Sequence, residues 1–320
     1  MIIWFCLAAY SVIANDSIQT LWTFLESNKK TARWKLATAA SVIAIIVITY
    51  SWVVNGGDIS WWRLSTKGID LPEAFTIRHA IAPLGLLVLT RYGIPVSTSL
   101  LILSVFATSS TITKMVSKSV MGYAIAFLVA YVLRFAIVGI YERVVKNKKE
   151  FGWFDWISDH INWRYLQRLS TWYLWSVWLM HDMANIAVYL PREMGVGYLI
   201  FTLVIIVWGL YYIFWSRWWK IQNIVSSKSG TDYIKAATLI DFIYACVLLY
   251  FKELNSIPMS TTWVFVGLLA GRELALSHFR MHGKEIRTVF PMILKDFAKV
   301  LFWLIISVGL AIGVGAVSGW

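Results

Sequence analysis

The sequence predicts an all-α polytopic membrane protein built as two inverted repeats, each with about three transmembrane helices and a re-entrant helical hairpin. Three observations predict it. Of 320 residues 59% are hydrophobic and 14% charged, and the mean hydropathy is +0.66, which excludes an ordinary soluble protein. Apolar runs long enough to cross a bilayer recur along the chain. One polar motif set inside apolar sequence occurs twice, as Pro95-Val96-Ser97-Thr98-Ser99 and Pro258-Met259-Ser260-Thr261-Thr262.

The first span, about 2–25, is interrupted by Asn15, Asp16, Ser17, Gln19 and Thr20. An Asp at a helix centre costs about 2.5–3.5 kcal/mol on insertion scales, so this face belongs against protein or water. No basic residue precedes the span, whereas Lys29, Lys30, Arg33 and Lys35 follow it. It is therefore expected to be a span and not a cleaved leader, with the N-terminus outside.

A second span, about 36–54, returns outward to an external loop from Asn55 to Arg78 that carries Trp61 and Trp62. Two apolar arms, about 79–92 and 96–108, are each too short to cross. They are expected to form a re-entrant hairpin with the first hydroxyl motif at its tip, lining a cavity. The third span, about 119–141, contains Arg134, which either snorkels to the headgroups or faces the cavity. Basic residues Arg143, Lys146, Lys148 and Lys149 then mark the cytoplasm. Residues 146–169 have the spacing of an amphipathic linker helix lying on the membrane surface.

The second half repeats the plan. A span of about 170–190 carries His181, Asp182 and Asn185, and a span of about 196–216 returns from the turn at Pro191. A hairpin around Pro258 follows, with Asp241 in its first arm, then a basic loop from Arg272 to Lys295 and a last span of about 299–318. Asp16 and Ser97 are 81 residues apart, and Asp182 and Ser260 are 78 apart. Three crossings per half is an odd number, so the repeats, 1–145 and 170–320, take opposite orientations and both termini lie outside. Secondary transporters share this plan, with the site at the midplane where the repeats meet.

Each motif reads as a helix start. Proline suits the first turn, where the N–H it lacks would be unpaired. Ser and Thr either cap the remaining amides or leave them for a ligand, and the partial positive charge of a helix N-terminus attracts an oxyanion. The substrate-binding candidates are Ser97, Thr98, Ser99, Ser260, Thr261 and Thr262. The coupling candidates are Asn15, Asp16, Gln19, Asp182 and Asn185. Asp16 and Asp182 are the expected ligands of Na⁺, or the carriers of H⁺. His181 is either a tuning group or a hydrogen-bonded core histidine.

Several function classes are excluded. The net charge of +12 comes from short clusters between spans, as topology signals do, and not from a nucleic-acid surface. Cys6 and Cys246 are isolated, so neither a disulfide framework nor a metal-ligand spacing is present. There is no Gly-x-Ser-x-Gly elbow and no His-Glu-x-x-His pattern, so no enzyme is expected. An anion channel would not want two acids beside its anion path.

At these residues the chain resembles the inorganic phosphate transporter family. Ala14-Asn15-Asp16 with Gln19-Thr20 is similar to the first signature of that family, and His181-Asp182-Met183-Ala184-Asn185 to the second. The two Pro-x-Ser-Thr-Ser/Thr tips resemble its hairpins. The flanking glycines are missing, His181 stands where the second Asn is usual, and Ser99 replaces Thr. The resemblance implies symport of inorganic phosphate with Na⁺ or H⁺ across the cell (inner or plasma) membrane, without a further cofactor. Partners would be phosphate, the lipid bilayer and, in some settings, a second copy. A sulfate or other oxyanion permease of the same fold is the near alternative, and a non-transporting sensor or scaffold is the third.

Overall fold

In the computed structural model the described residues are 1–28, 31–64, 67–91, 96–146, 161–216, 234–278 and 285–318. Among them the chain is all-α, a polytopic membrane protein. Its helices are α1 (Ile2–Ser27), α2 (Arg33–Val54), α3 (Arg78–Arg91), α4 (Thr98–Ile102), α5 (Ser109–Lys146), α6 (Trp163–Ala187), α7 (Val196–Ser216), α8 (Ile234–Leu254), α9 (Thr261–His278) and α10 (Ile286–Ser318). A short 3₁₀ turn, Leu103–Val105, follows α4.

The packing of α2 shows why these helices belong in lipid. Its inward stripe is Leu36, Ala37, Ala40, Ser41, Ala44, Val47, Ile48 and Ser51, spaced three and four residues apart. Its outward residues Val42, Ile45, Ile46 and Val53 are exposed. Small residues inside and branched apolar ones outside suit helices that associate by close packing in a hydrocarbon solvent. By length and composition α1, α2, α5 and α7 contain segments able to cross a membrane. The 25-residue α6 is long enough, but it carries His181, Asp182 and Asn185 on a buried face.

The tightest helix pair is α5 with α9. A side chain on Gly267 or Gly271 would overlap the backbone carbonyls of Tyr123 and Phe127 respectively, so this Gly-x-x-x-Gly stripe sets how closely the two backbones approach. Next to it α8 packs on α6, while α2 packs on α7 and α1 on α3, α6 and α7.

The connection between α2 and α3 is folded against the body. Met194 N donates to Gly57 O at 3.2 Å, and Gly57 has φ +98°, with a Cβ there only 2.9 Å from Met194 N. Arg192, in the α6–α7 turn, donates from Nη1 to the carbonyls of Ala187, Val188 and Leu190 and from Nη2 to Ile69 O at 3.0 Å. One side chain thus caps the C-terminus of α6 and holds the α2–α3 loop.

Several boundaries differ from expectation. The third span starts earlier, at Ser109, where Thr111 N donates to Thr108 Oγ1 at 3.3 Å. The second arm of the first hairpin is not one helix: α4 tightens into the 3₁₀ turn, and Ala107 then bridges to Ile69. The expected 146–169 linker helix falls largely on residues 147–160, outside the described residues. Its end does not belong to a linker, because Tyr165 and Leu169 lie within α6. Pro95 also lies outside the described residues, whereas Val96 onward is described.

Candidate functional site

The polar run of α1 meets the first tip directly. Thr98 Oγ1 donates to Asp16 Oδ2 at 2.7 Å. Asn15 Nδ2 donates to Asp16 Oδ1 at 2.6 Å and to Val96 O at 3.0 Å, and Thr90 Oγ1 donates to Asn15 Oδ1 at 3.3 Å. All of these side chains are buried, with Asp16 at 0% exposure. Gln19, one turn further along α1, is buried on the same helix.

The acid of the second half meets the same tip. Ser99 Oγ donates to Asp182 Oδ1 at 3.0 Å, and Asn185 Nδ2 donates to Asp182 Oδ1 at 2.8 Å, Thr98 Oγ1 at 3.1 Å and Ser99 Oγ at 3.2 Å. Thr261 of the second tip lies within side-chain reach of Asp182. Asp16 and Asp182 are close enough to repel each other. Among the described residues, two buried acceptor atoms at this junction, Asp182 Oδ2 and Asn185 Oδ1, have no hydrogen-bond donor.

The second tip is built like the first. Ser97 Oγ accepts from Leu100 N at 3.2 Å, and Ser260 Oγ accepts from Trp263 N at 3.2 Å. Each serine therefore caps the start of the helix that follows it, one of the two roles its position allows. Ser260 N donates to Ser119 Oγ at 2.9 Å, and Thr262 Oγ1 donates to Val96 O at 3.2 Å. The tips thus touch, and a small crevice beside them is lined by Ser97, Thr262, Trp263, Val300, Trp303 and Leu304.

Other candidates take no part in these hydrogen bonds. His181 uses one ring nitrogen on Leu248 O at 2.8 Å, while its Nδ1 is buried without a partner. Arg134 lies within electrostatic reach of Glu273, which pairs with Arg272 on α9. Asp241 is fully engaged by hydroxyls: Thr23 Oγ1 at 2.6 Å and Thr171 Oγ1 at 2.6 Å from Oδ2.

Sequence reasoning missed four contributors. Thr90 and Ser119 are ordinary hydroxyls in helices and gave no signal. Lys118 was detectable as a cation inside an apolar run, and it is 4% exposed. Arg63 stands in a polar loop where nothing in the pattern announces burial, yet it is 1% exposed. Burial lowers its pKa to about 10, and Asp182 opposes that shift.

The donor set at the junction is carboxylate, amide and hydroxyl oxygen, the hard ligands that suit Na⁺ or a proton. Such a set, held between helix starts inside a polytopic all-α protein, defines a membrane protein with a buried ionisable centre. No family model matches the sequence, and no curated protein matches it. The fold is similar to that of a solved structure described as the sodium-dependent phosphate transporter, with a TM-score of 0.59 at 16% sequence identity, covering 99% of this chain and 97% of that one.

Proposed function

We propose that the chain is a secondary active transporter that symports inorganic phosphate with Na⁺ or H⁺. One observation carries the proposal: the hydroxyls of a single tip bond both buried acids, Thr98 to Asp16 and Ser99 to Asp182. The similarity in fold to a sodium-dependent phosphate transporter supports it. In this reading the chain is two inverted repeats, 1–145 and 170–320, whose hairpins enter the membrane from opposite sides and meet at the midplane.

The unpartnered oxygens Asp182 Oδ2 and Asn185 Oδ1 take the cation, with Asp16, Asn15 and Gln19 completing the oxygen-rich wall. Thr98, Ser99, Thr261 and Thr262 hold the anion, and Ser97 and Ser260 fix the helix starts that point at it. Two carboxylates beside an oxyanion repel it until a cation lies between them. Cation and anion therefore favour each other's binding, which is the coupling.

Uptake of labelled phosphate, with sulfate in parallel, into proteoliposomes under an imposed Na⁺ or H⁺ gradient tests this. Gradient-driven accumulation is expected, with Asp16→Asn abolishing it and Ser260→Ala reducing it. Accumulation of sulfate in place of phosphate would select the sulfate permease. A folded protein that accumulates neither would leave the sensor or scaffold role.

A further inference from the structure

The α2–α3 loop delivers a buried guanidinium, that of Arg63. Asp58 shapes the delivery: its Oδ1 accepts from Ser60 N at 2.6 Å and its Oδ2 from Trp62 N at 2.9 Å. Trp61 and Trp62 both hold φ of +58°, a left-handed conformation that bulky side chains avoid and that persists only where the surroundings enforce it. After this turn Arg63 points inward, and Nη2 donates to Ile257 O at 3.1 Å. Its Nε and Nη1 are buried with no acceptor among the described residues.

Lys118 of α5 arrives at the same place. Its Nζ donates to Asn255 O at 2.9 Å, Asn255 Oδ1 at 2.8 Å and Ile257 O at 2.8 Å. Two buried basic side chains thus share one carbonyl, three residues before Ser260. Among the described residues no ion pair joins either of them to a carboxylate. Asp182 and His181 lie within electrostatic reach of Arg63. Unsatisfied guanidinium donors in a dry setting are costly alone, and they bind tetrahedral oxyanions with directed, charge-assisted hydrogen bonds.

We infer that Arg63, supported by Lys118, is the cationic contact for the anion at the second tip, its free N–H groups binding an oxygen of a phosphate-like tetrahedral oxyanion. This rests on the reading above that the site takes an oxyanion, and it adds a specificity-determining residue from outside both hydroxyl motifs. The guanidinium also offsets Asp182, so the anion meets a less negative wall.

The test is equilibrium binding of labelled phosphate to the purified full chain in lipid nanodiscs at fixed Na⁺, for the parent, Arg63→Gln, Arg63→Lys and Lys118→Gln. Arg63→Gln is expected to weaken binding tenfold or more and Lys118→Gln severalfold, with Arg63→Lys recovering part of the loss. A monodisperse Arg63→Gln protein within twofold of the parent would overturn the inference and leave Arg63 as an internal counter-charge to Asp182. Should Arg63→Gln fail to fold, unchanged affinity in both Arg63→Lys and Lys118→Gln would overturn it. A parent that binds neither phosphate nor sulfate overturns it as well. A parent that binds phosphate through Arg63 yet accumulates none refutes transport alone, whereas normal accumulation with an unchanged KM in Arg63→Gln refutes only this inference.

Discussion

The two carboxylate oxygens of Asp182 differ. Oδ1 accepts from Ser99 and Asn185, whereas Oδ2 has no donor among the described residues. Asp182→Asn places an amide where an acceptor is required. It is expected to lower gradient-driven uptake by at least tenfold while the protein stays monodisperse, as gel filtration alongside the flux assay would show. Asp241 contrasts with it, because both of its oxygens are held by threonines. It couples α1, α6 and α8, so Asp241→Asn is expected to affect thermal stability more than cation affinity. Arg192 is structural in a different way, with four carbonyls on one guanidinium. Replacing it by Gln should cost about 2 kcal/mol, by the usual worth of charged hydrogen bonds, read as a lower thermal midpoint. At this scale Asp16, Asp182 and the hydroxyl runs were legible in the sequence, because polar groups inside apolar spans are conspicuous. Arg63 was not, because a charged residue in a polar loop looks the same whether it faces water or protein.

Among the helices, the α5–α9 pair shows what periodicity conveys and what it leaves out. Its apolar lengths were legible, but α9 begins at Thr261, capped by Ser260, and leaves Pro258 outside the first turn where it was expected. That Gly267 and Gly271 put two backbones in contact was not legible, since a glycine pair in an apolar run gives no partner. Gly271→Leu is expected to destabilise by about 1–3 kcal/mol through overpacking against the Phe127 carbonyl, measurable as a drop in the temperature at which the detergent-solubilised protein aggregates. Gly309→Leu, with nothing near its Cβ position, serves as the neutral comparison. The first hairpin's second arm was expected as a single helix. It breaks after Ile102 because Phe106 N turns back to Leu103 O at 3.0 Å and the chain then pairs with the α2–α3 loop. Tertiary contacts of that kind leave no periodic trace.

For the molecule as a whole, hydropathy and the duplicated motif were enough to anticipate the all-α polytopic fold. They gave no warning that both acids would be bonded by the same tip, since spacing along a chain does not say which half a hydroxyl will face. The Val96 carbonyl condenses this arrangement into one atom. It accepts from Asn15 at 3.0 Å and from Thr262 at 3.2 Å, so the first acid helix and the second tip hold the same point of the first tip. The Asn15 and Thr262 bonds to Val96 O tie α1, the first tip and the second tip to one another. Under the proposed symport this bears on leakage: a membrane stays charged only if ions do not slip through when no cargo rides with them. Thr262→Val removes one of the two tethers, and its cost should appear as dissipation, a cation current in proteoliposomes containing no anion to carry.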